Sequence, residues 1–400
     1  MKNPESAEQI KATYENYVVP SYARSLVLAK GTGCRVWDVD GKEYLDFGGG
    51  IAVNCLGHSH PAMVRALSEQ SQQLIHCSNL YYHAGQGKLA QEIVRLNGAG
   101  KVFFCNSGAE ANEGLFKLAR KAMHDKGKYE VITTLNSFHG RTMAGIAATG
   151  QDKVKKGFEP LMPGFIQVPY NDIEAMTSAI TERTAAIMIE GIQGEGGITS
   201  ATPDYLLALR KLTQEKGILL LLDAVQCGFF RTGCFQSYQR ILEGISGGEN
   251  FRPDGISMAK SLGGGFPIGA VWIDQAYADV LQPGTHGTTY GGTPLACAVS
   301  LAILEEIESK KLSENIRILG DYLKAELKKL QGRHSILEVR GMGFMLGLLM
   351  EGEATLAGQK LREAGLLLIP ATGNILRFLP PYNITREEID QALGIIRKTL

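Results

Sequence analysis

Four consecutive leucines, Leu219 to Leu222, run straight into Asp223 and restrict this chain more than any other stretch. An aliphatic run without polar alternation belongs to a strand covered on both faces, and a carboxylate at its end suits a parallel strand that opens onto a ligand crevice. Buried there, Asp223 is costly unless a cation meets it. Further short apolar runs at 102–105, 129–134, 185–189, 255–259 and 268–273 alternate with helical stretches such as 108–124 and 203–216. That alternation predicts an α/β fold, a mostly parallel sheet between helices, with functional residues at strand ends and in the loops beyond them.

The run 255–259 leads into Lys260, and Gly263, Gly264 and Gly265 follow, a glycine run whose backbone can approach a ligand closely. A lysine at the end of an apolar strand must be paired, brought to solvent or neutralised. Desolvated, it becomes an amine nucleophile suited to carbonyl chemistry, including the aldehyde of pyridoxal phosphate; alone it reads equally well as a surface lysine before a loop. A carboxylate such as Asp223 on the pyridinium nitrogen is the companion such a lysine needs. Ser107 and Gly108 open the helix that follows the strand at 102–105. Free N–H groups there favour a phosphate, although an ordinary helix cap has the same sequence. Phe138 and Arg141 flank a glycine in Ser137-Phe138-His139-Gly140-Arg141-Thr142.

Lys plus Arg number 41 and Asp plus Glu 41, a balance that argues against nucleic-acid or membrane-surface partners. Residues 1–17 lack the apolar core of a signal peptide and no run approaches a membrane span, so a cytoplasmic protein is expected. Seven scattered cysteines without a C-x-x-C pair read as reduced thiols. His58 and His60 have no companion cluster, so no metal site is expected. No dinucleotide fingerprint after a strand, P-loop or zinc-protease motif is present.

Six segments, in order, carry a resemblance: Asn106 to Glu113, Phe138 to Thr142, Glu190 to Glu195, Asp223 to Gln226, Lys260 with its glycines, and His286 to Gly292. Together the chain resembles the class III, fold-type I aminotransferases from about residue 20 to the C-terminus. A hairpin expected around Asp40-Gly41, with Ile51 to Asn54 and Gly57-His58 after it, is similar to the N-terminal segment of acetylornithine aminotransferases. The resemblance implies pyridoxal 5′-phosphate as cofactor and a discontinuous small α+β domain, made of residues 1–59 and 294–400, beside a large cofactor-binding domain of residues 60–293.

By the same resemblance Lys260 would bind the cofactor aldehyde and shuttle the proton, while Asp223 would keep the ring nitrogen protonated. Gln226 would reach the ring hydroxyl, Val225 and Phe138 the two ring faces, and Ser107, Gly108 and Ala109 the phosphate. Thr289 would reach the phosphate of a partner subunit, making a homodimer with shared active sites, and Thr288 would touch substrate. Arg377 would bind the α-carboxylate of glutamate and Arg141 a second carboxylate, with Glu195 as the switch partner that occupies Arg377 when no carboxylate does. The activity implied is transfer of the ω-amino group of N-acetylornithine to 2-oxoglutarate. Ornithine, succinylornithine and 4-aminobutyrate stand as alternative donors; an aminomutase and a non-catalytic binding protein are the rivals of other classes.

The chain also departs from the family's usual residues. Ala109 stands where Thr is frequent, Ala224 where an acid follows the Asp, Gly191 where Pro is common and Thr293 where Asn is frequent. Asp223 and Lys260 lie 37 positions apart, a wide spacing assigned to a polar, Gly-rich surface loop at 240–250.

Overall fold

The computed structural model describes residues 5–333 and 335–400. Its centre is a seven-stranded sheet. In chain order the strands are β1 (Gly100–Cys105), β2 (Glu130–Thr134), β3 (Phe165–Val168), β4 (Thr184–Glu190), β5 (Leu219–Asp223), β6 (Gly255–Met258) and β7 (Gly269–Asp274). They lie side by side as β1-β7-β6-β5-β4-β2-β3. Pairings are parallel except that β7 runs antiparallel to both neighbours, β6 and β1.

The leucine run explains the sheet's position in the molecule. Leu220 and Leu222 face one hydrophobic cluster with Ile187 and Ile189 of β4; Leu219 and Leu221 face another with Ala186 and Met188. The first cluster is completed by Leu206 and Leu209 of helix α2 (Pro203–Lys216), the second by Leu115, Leu118 and Ala119 of helix α1 (Gly108–Ala122). Each such leucine contributes on the order of 2 kcal/mol by leaving water. The strand has no solvent face, so polar groups gather where it ends.

Thr202 caps α2, accepting the N–H of Tyr205 at 3.2 Å, and Gly217 ends it in the left-handed conformation at φ 59°. After the sheet, helix α3 (Pro294–Ser309) packs against the helices Pro61–Ser71 and Ala84–Asn97. Its N-cap, Thr293, gives no side-chain cap; the hydroxyl donates instead to the Ile75 carbonyl at 2.7 Å. No helix among the described residues is long and apolar enough to cross a membrane.

The N-terminal hairpin pairs Arg35–Asp38 with Glu43–Asp46, turning at Gly41 with φ 84°. Leu366–Leu367, late in the chain, pairs parallel with Glu43–Asp46, so the two ends of the chain share a sheet. The later segment also forms the four-stranded sheet Ile336–Met342, Met345–Met350, Ile375–Phe378 and Ile369–Ala371. Six strands escape the sequence pattern: Phe165–Val168, a half-covered sheet edge, Leu28–Thr32, which pairs with the hairpin, and the short Ile192–Gln193, Thr199–Ser200, Leu366–Leu367 and Ile369–Ala371.

The loop assigned to 240–250 is only partly one. Arg240 and Ile241 close a helix, Ser237–Ile241, and Ile241 and Leu242 are buried; the exposed part follows them. Gly191 is explained here as well, because a Cβ on it would come within 2.3 Å of the Ser237 hydroxyl. His58 hydrogen-bonds Asp46 at 2.8 Å and His60 caps the helix Pro61–Ser71, so each ring has a structural partner.

Gly269, at the start of β7, is another close approach: a Cβ would lie 2.4 Å from the Ser107 carbonyl oxygen, which is backbone. Gly269→Ala should therefore cost about 1–3 kcal/mol, read as a lower urea midpoint for the first unfolding transition. An unchanged midpoint would mean that β1 and β7 can separate freely.

Candidate active site

Three strand ends stand in one row. Asp223 of β5 is in register with Glu190 of β4 on one side and with Ser257 of β6 on the other. Beyond them lies a cavity of about 380 Å³ lined by Ser107, Gly108, Ala109, Asn112, Phe138, His139, Arg141, Glu190, Glu195, Asp223, Val225, Gln226 and Lys260. The parallel strands of the sheet deliver their C-terminal ends here, where an open α/β sheet binds ligands.

Asp223 is 3% exposed. Its Oδ2 accepts from Asn112 Nδ2 at 2.7 Å and meets His139 Nδ1 at 2.8 Å; its Oδ1 accepts from the Val225 N–H at 3.0 Å. The Ser257 hydroxyl donates to Asn112 Oδ1 at 2.6 Å, fixing the amide so that its NH₂ faces the carboxylate. Burial pushes the His139 pKa down, but the hydrogen bond and charge of Asp223, aided by Glu190, outweigh it and leave the net value raised. His139 Nε2 is buried without a hydrogen-bond partner among the described residues. The sequence assigns no role to Asn112, His139 or Ser257, although all three lie in the motif segments around Ser107, Phe138 and Lys260. Asn112 shows there as a polar residue one turn into α1, next to the buried Ala111 and Leu115.

Lys260 does not extend its strand. β6 stops at Met258, and Lys260 opens a short 3₁₀ turn with φ 47°, a left-handed conformation that costs a non-glycine residue about 1–2 kcal/mol. The turn is held from several sides. Gly263 and Gly264 donate to the Lys260 carbonyl at 3.0 and 3.1 Å, Ser261 Oγ donates to Ala52 O at 2.8 Å, and Ser300 Oγ donates to Leu262 O at 2.8 Å. The amine has no hydrogen-bond partner among the described residues. Burial, and next the charge of Arg377, push its pKa down to about 8, against opposing pulls from Glu195, Asp223 and Glu190.

Ser107 caps α1, its hydroxyl accepting the Glu110 N–H at 3.2 Å, so cap and anion site coexist. The N–H groups of Gly108 and Ala109 have no protein acceptor among the described residues and belong to the first turn of a 15-residue helix. A Cβ on Gly108 would lie 2.6 Å from Val225 Cγ1, so only glycine lets the helix end meet the segment after β5. Phe138 stands at the cavity with the Arg141 guanidinium over its ring at 5.3 Å from the centroid.

Arg377, 1% exposed, comes from the strand Ile375–Phe378. Its Nη1 donates to Glu195 Oε1 at 2.6 Å, to Gln226 Oε1 at 3.1 Å and to the Gly194 carbonyl at 3.3 Å. The expected switch pair is thus in contact across 182 residues. Thr288 and Thr289 do not line the Lys260 cavity. They line a neighbouring recess with Tyr290 and Glu110, and Thr288 Oγ1 accepts from Asn106 Nδ2 at 3.0 Å; Asn106 borders both spaces.

A family model described as aminotransferase class-III matches residues 17–400. The chain belongs to the class III aminotransferases. It is 48% identical to the acetylornithine aminotransferase of Caldanaerobacter subterraneus, over 97% of this chain and 98% of that one. It is 46% identical to that of Aquifex aeolicus, over 96% and 100%. Among solved structures, an acetylornithine aminotransferase from Elizabethkingia anophelis superposes with a TM-score of 0.85 at 34% identity, covering 99% of each chain. The ornithine aminotransferase of Toxoplasma gondii gives 0.92 at 33%, covering 98% of this chain and 94% of that one.

Class III aminotransferases are pyridoxal-phosphate enzymes, and the residues present fit that group. Unpartnered helix N–H groups suit a phosphate, a buried carboxylate suits a pyridinium nitrogen, and an amine whose pKa is lowered by burial suits an aldehyde. Below about pH 8 the Lys260 amine is an unreactive ammonium and above it a nucleophile. Competitive acetylation of the cofactor-free protein should give Lys260 a midpoint near pH 8; a midpoint at the ordinary lysine value would contradict the burial argument.

Proposed function

We propose that this class III aminotransferase moves the ω-amino group of N-acetylornithine to 2-oxoglutarate, giving N-acetylglutamate 5-semialdehyde and glutamate, as arginine biosynthesis requires. The observation that carries the reading is the Arg377–Glu195 pair beside Lys260. An enzyme that alternates between a dicarboxylate and an amine bearing no carboxylate near the reacting carbon must bind a carboxylate in one half-reaction and neutralise the same arginine in the other. Glu195 is in position to do the second. The full-length relatives carrying the acetylornithine name support the donor.

Bound pyridoxal phosphate supplies an aldehyde that takes up amines and a ring that draws electrons from the neighbouring carbon. Asp223, held by Asn112 and His139, would keep a proton on the ring nitrogen. Lys260, its pKa lowered to about 8, would move the proton between the substrate carbon and the carbon that carried the cofactor's aldehyde. Gly108 and Ala109 would hold the phosphate through backbone N–H groups, with Ser107 fixing their helix end, and Val225 and Phe138 would enclose the ring. Gln226, whose carbonyl oxygen accepts from Arg377, would reach the ring hydroxyl. Arg377 takes the α-carboxylate of glutamate, and Arg141 at the cavity mouth takes the distal carboxylate of glutamate or the α-carboxylate of acetylornithine.

We also read the protein as a cytoplasmic homodimer, its chains divided into residues 60–293 and a small domain of 1–59 with 294–400. The shared sheet of Glu43–Asp46 and Leu366–Leu367 supports the division. Exposed Leu80, Tyr81, Tyr82 and Tyr290, near the recess of Thr288 and Thr289, support a second copy covering that face, with Thr289 serving the partner's phosphate and Thr288 its substrate.

The decisive experiment offers acetylornithine, ornithine, succinylornithine and 4-aminobutyrate to the holoenzyme in single half-reactions and follows the absorbance change. Acetylornithine should be fastest; equal rates would defeat the donor assignment. Arg377→Ala should reduce the glutamate half-reaction by about 100-fold and the acetylornithine one by less than about 10-fold, the difference being one lost bidentate contact. Equal losses would remove the switch.

A further inference from the structure

Glu190 ends β4 beside Asp223 and is 5% exposed, yet the chemistry above makes no use of it. Its two oxygens reach in different directions. Oε1 accepts from the Phe138 N–H at 3.0 Å and Oε2 from the Gly194 N–H at 3.1 Å. The first amide belongs to the loop that carries Phe138, His139 and Arg141. The second immediately precedes Glu195, and the carbonyl of the same residue receives Arg377 Nη1 at 3.3 Å. Two N–H donors from separate loops call for two acceptors on one side chain, which an ionised carboxylate has and an amide lacks.

We propose that Glu190 is a positioning residue that couples the ring-facing loop 137–141 to the Glu195–Arg377 pair, so that the pair keeps its closed contact only while the Glu190 carboxylate spans both loops. The proposal rests on the reading of Arg377 and Glu195 as the substrate switch. Binding at the Phe138 face and pairing at Arg377 are then linked through one carboxylate, since displacement of either loop weakens the hold on the other.

Charge supports the same role. Burial, reinforced by the Asp223 charge, pushes the Glu190 pKa up to about 7, while His139 and the two N–H groups pull it down. The other titratable groups that face it are Lys260, Cys227 and Tyr170, whose hydroxyl donates to the Glu190 carbonyl at 2.7 Å. As pH falls through neutrality the carboxylate gains a proton. One of its oxygens then presents an O–H toward an N–H, and a charge-assisted contact is lost.

The test is amide hydrogen exchange of the holoenzyme, comparing wild type with Glu190→Gln over segments 136–141 and 192–196. Both segments should lose protection together by about 10-fold in the variant, the loss of one charge-assisted hydrogen bond each. Wild type should show the same paired loss between about pH 8.5 and about pH 6, which decides the matter even if the variant does not fold. Loss in one segment alone, or in neither, overturns the coupling. In half-reactions, Glu190→Gln should lower kcat/KM for acetylornithine by about 10-fold and for 2-oxoglutarate, which pairs Arg377 itself, by less than about 3-fold. Equal losses would make Glu190 a merely structural residue. If neither compound reacts with wild type but both segments still loosen together, the substrate reading fails while the link between the loops stands.

Discussion

A buried carboxylate has to be accommodated before anything else in this molecule can work. Asp223 lies at the end of a strand with no solvent face, and an isolated charge there would be driven to take up a proton. Three donors meet it. Asn112 comes from the helix after β1, His139 from the loop after β2, and the Val225 N–H from the chain's own continuation. Each follows a different strand, so the three reach one carboxylate only because the sheet order brings those strand ends together. The His139 proton and the Asn112 amide are both fixed by this demand, and Ser257 fixes Asn112 in turn.

The lysine is held by the opposite means. Asp223 is met by donors, whereas the Lys260 amine has no hydrogen-bond partner among the described residues, and its strained turn keeps it where burial lowers its pKa. The strain is offset by hydrogen bonds that tie residues 260–262 to Ala52 and to α3. Those ties come from parts of the chain distant in sequence, and they bring the N-terminal segment against the reactive turn. An amine whose pKa lies near 8 gives up its proton far more readily than an exposed lysine, which is what proton transfer close to neutral pH requires.

Much of this was legible in the residues. The leucine run announced β5 and its terminal carboxylate, Asp40-Gly41 announced the hairpin, and Arg377 and Glu195, matched through family motifs, meet as anticipated. What the sequence hid was non-local or without a side-chain signal. The direction of β7 cannot be read from its composition, because an apolar strand buried on both faces looks alike in either sense. Thr293 has the chemistry of a helix cap yet spends its hydroxyl on Ile75, and Gly191 makes sense only once Ser237 is seen against it. The bonds from Asn112 and His139 to Asp223 span 111 and 84 residues, which no local pattern encodes.

The account stands on the amine of Lys260 being the one that takes the cofactor. Borohydride reduction of the pyridoxal-phosphate-loaded protein, followed by peptide mapping, tests this directly. The pyridoxyl group should be found on Lys260, with loading reduced when Asp223 is replaced by Asn. A label on another lysine, or one spread over several, would contradict the account.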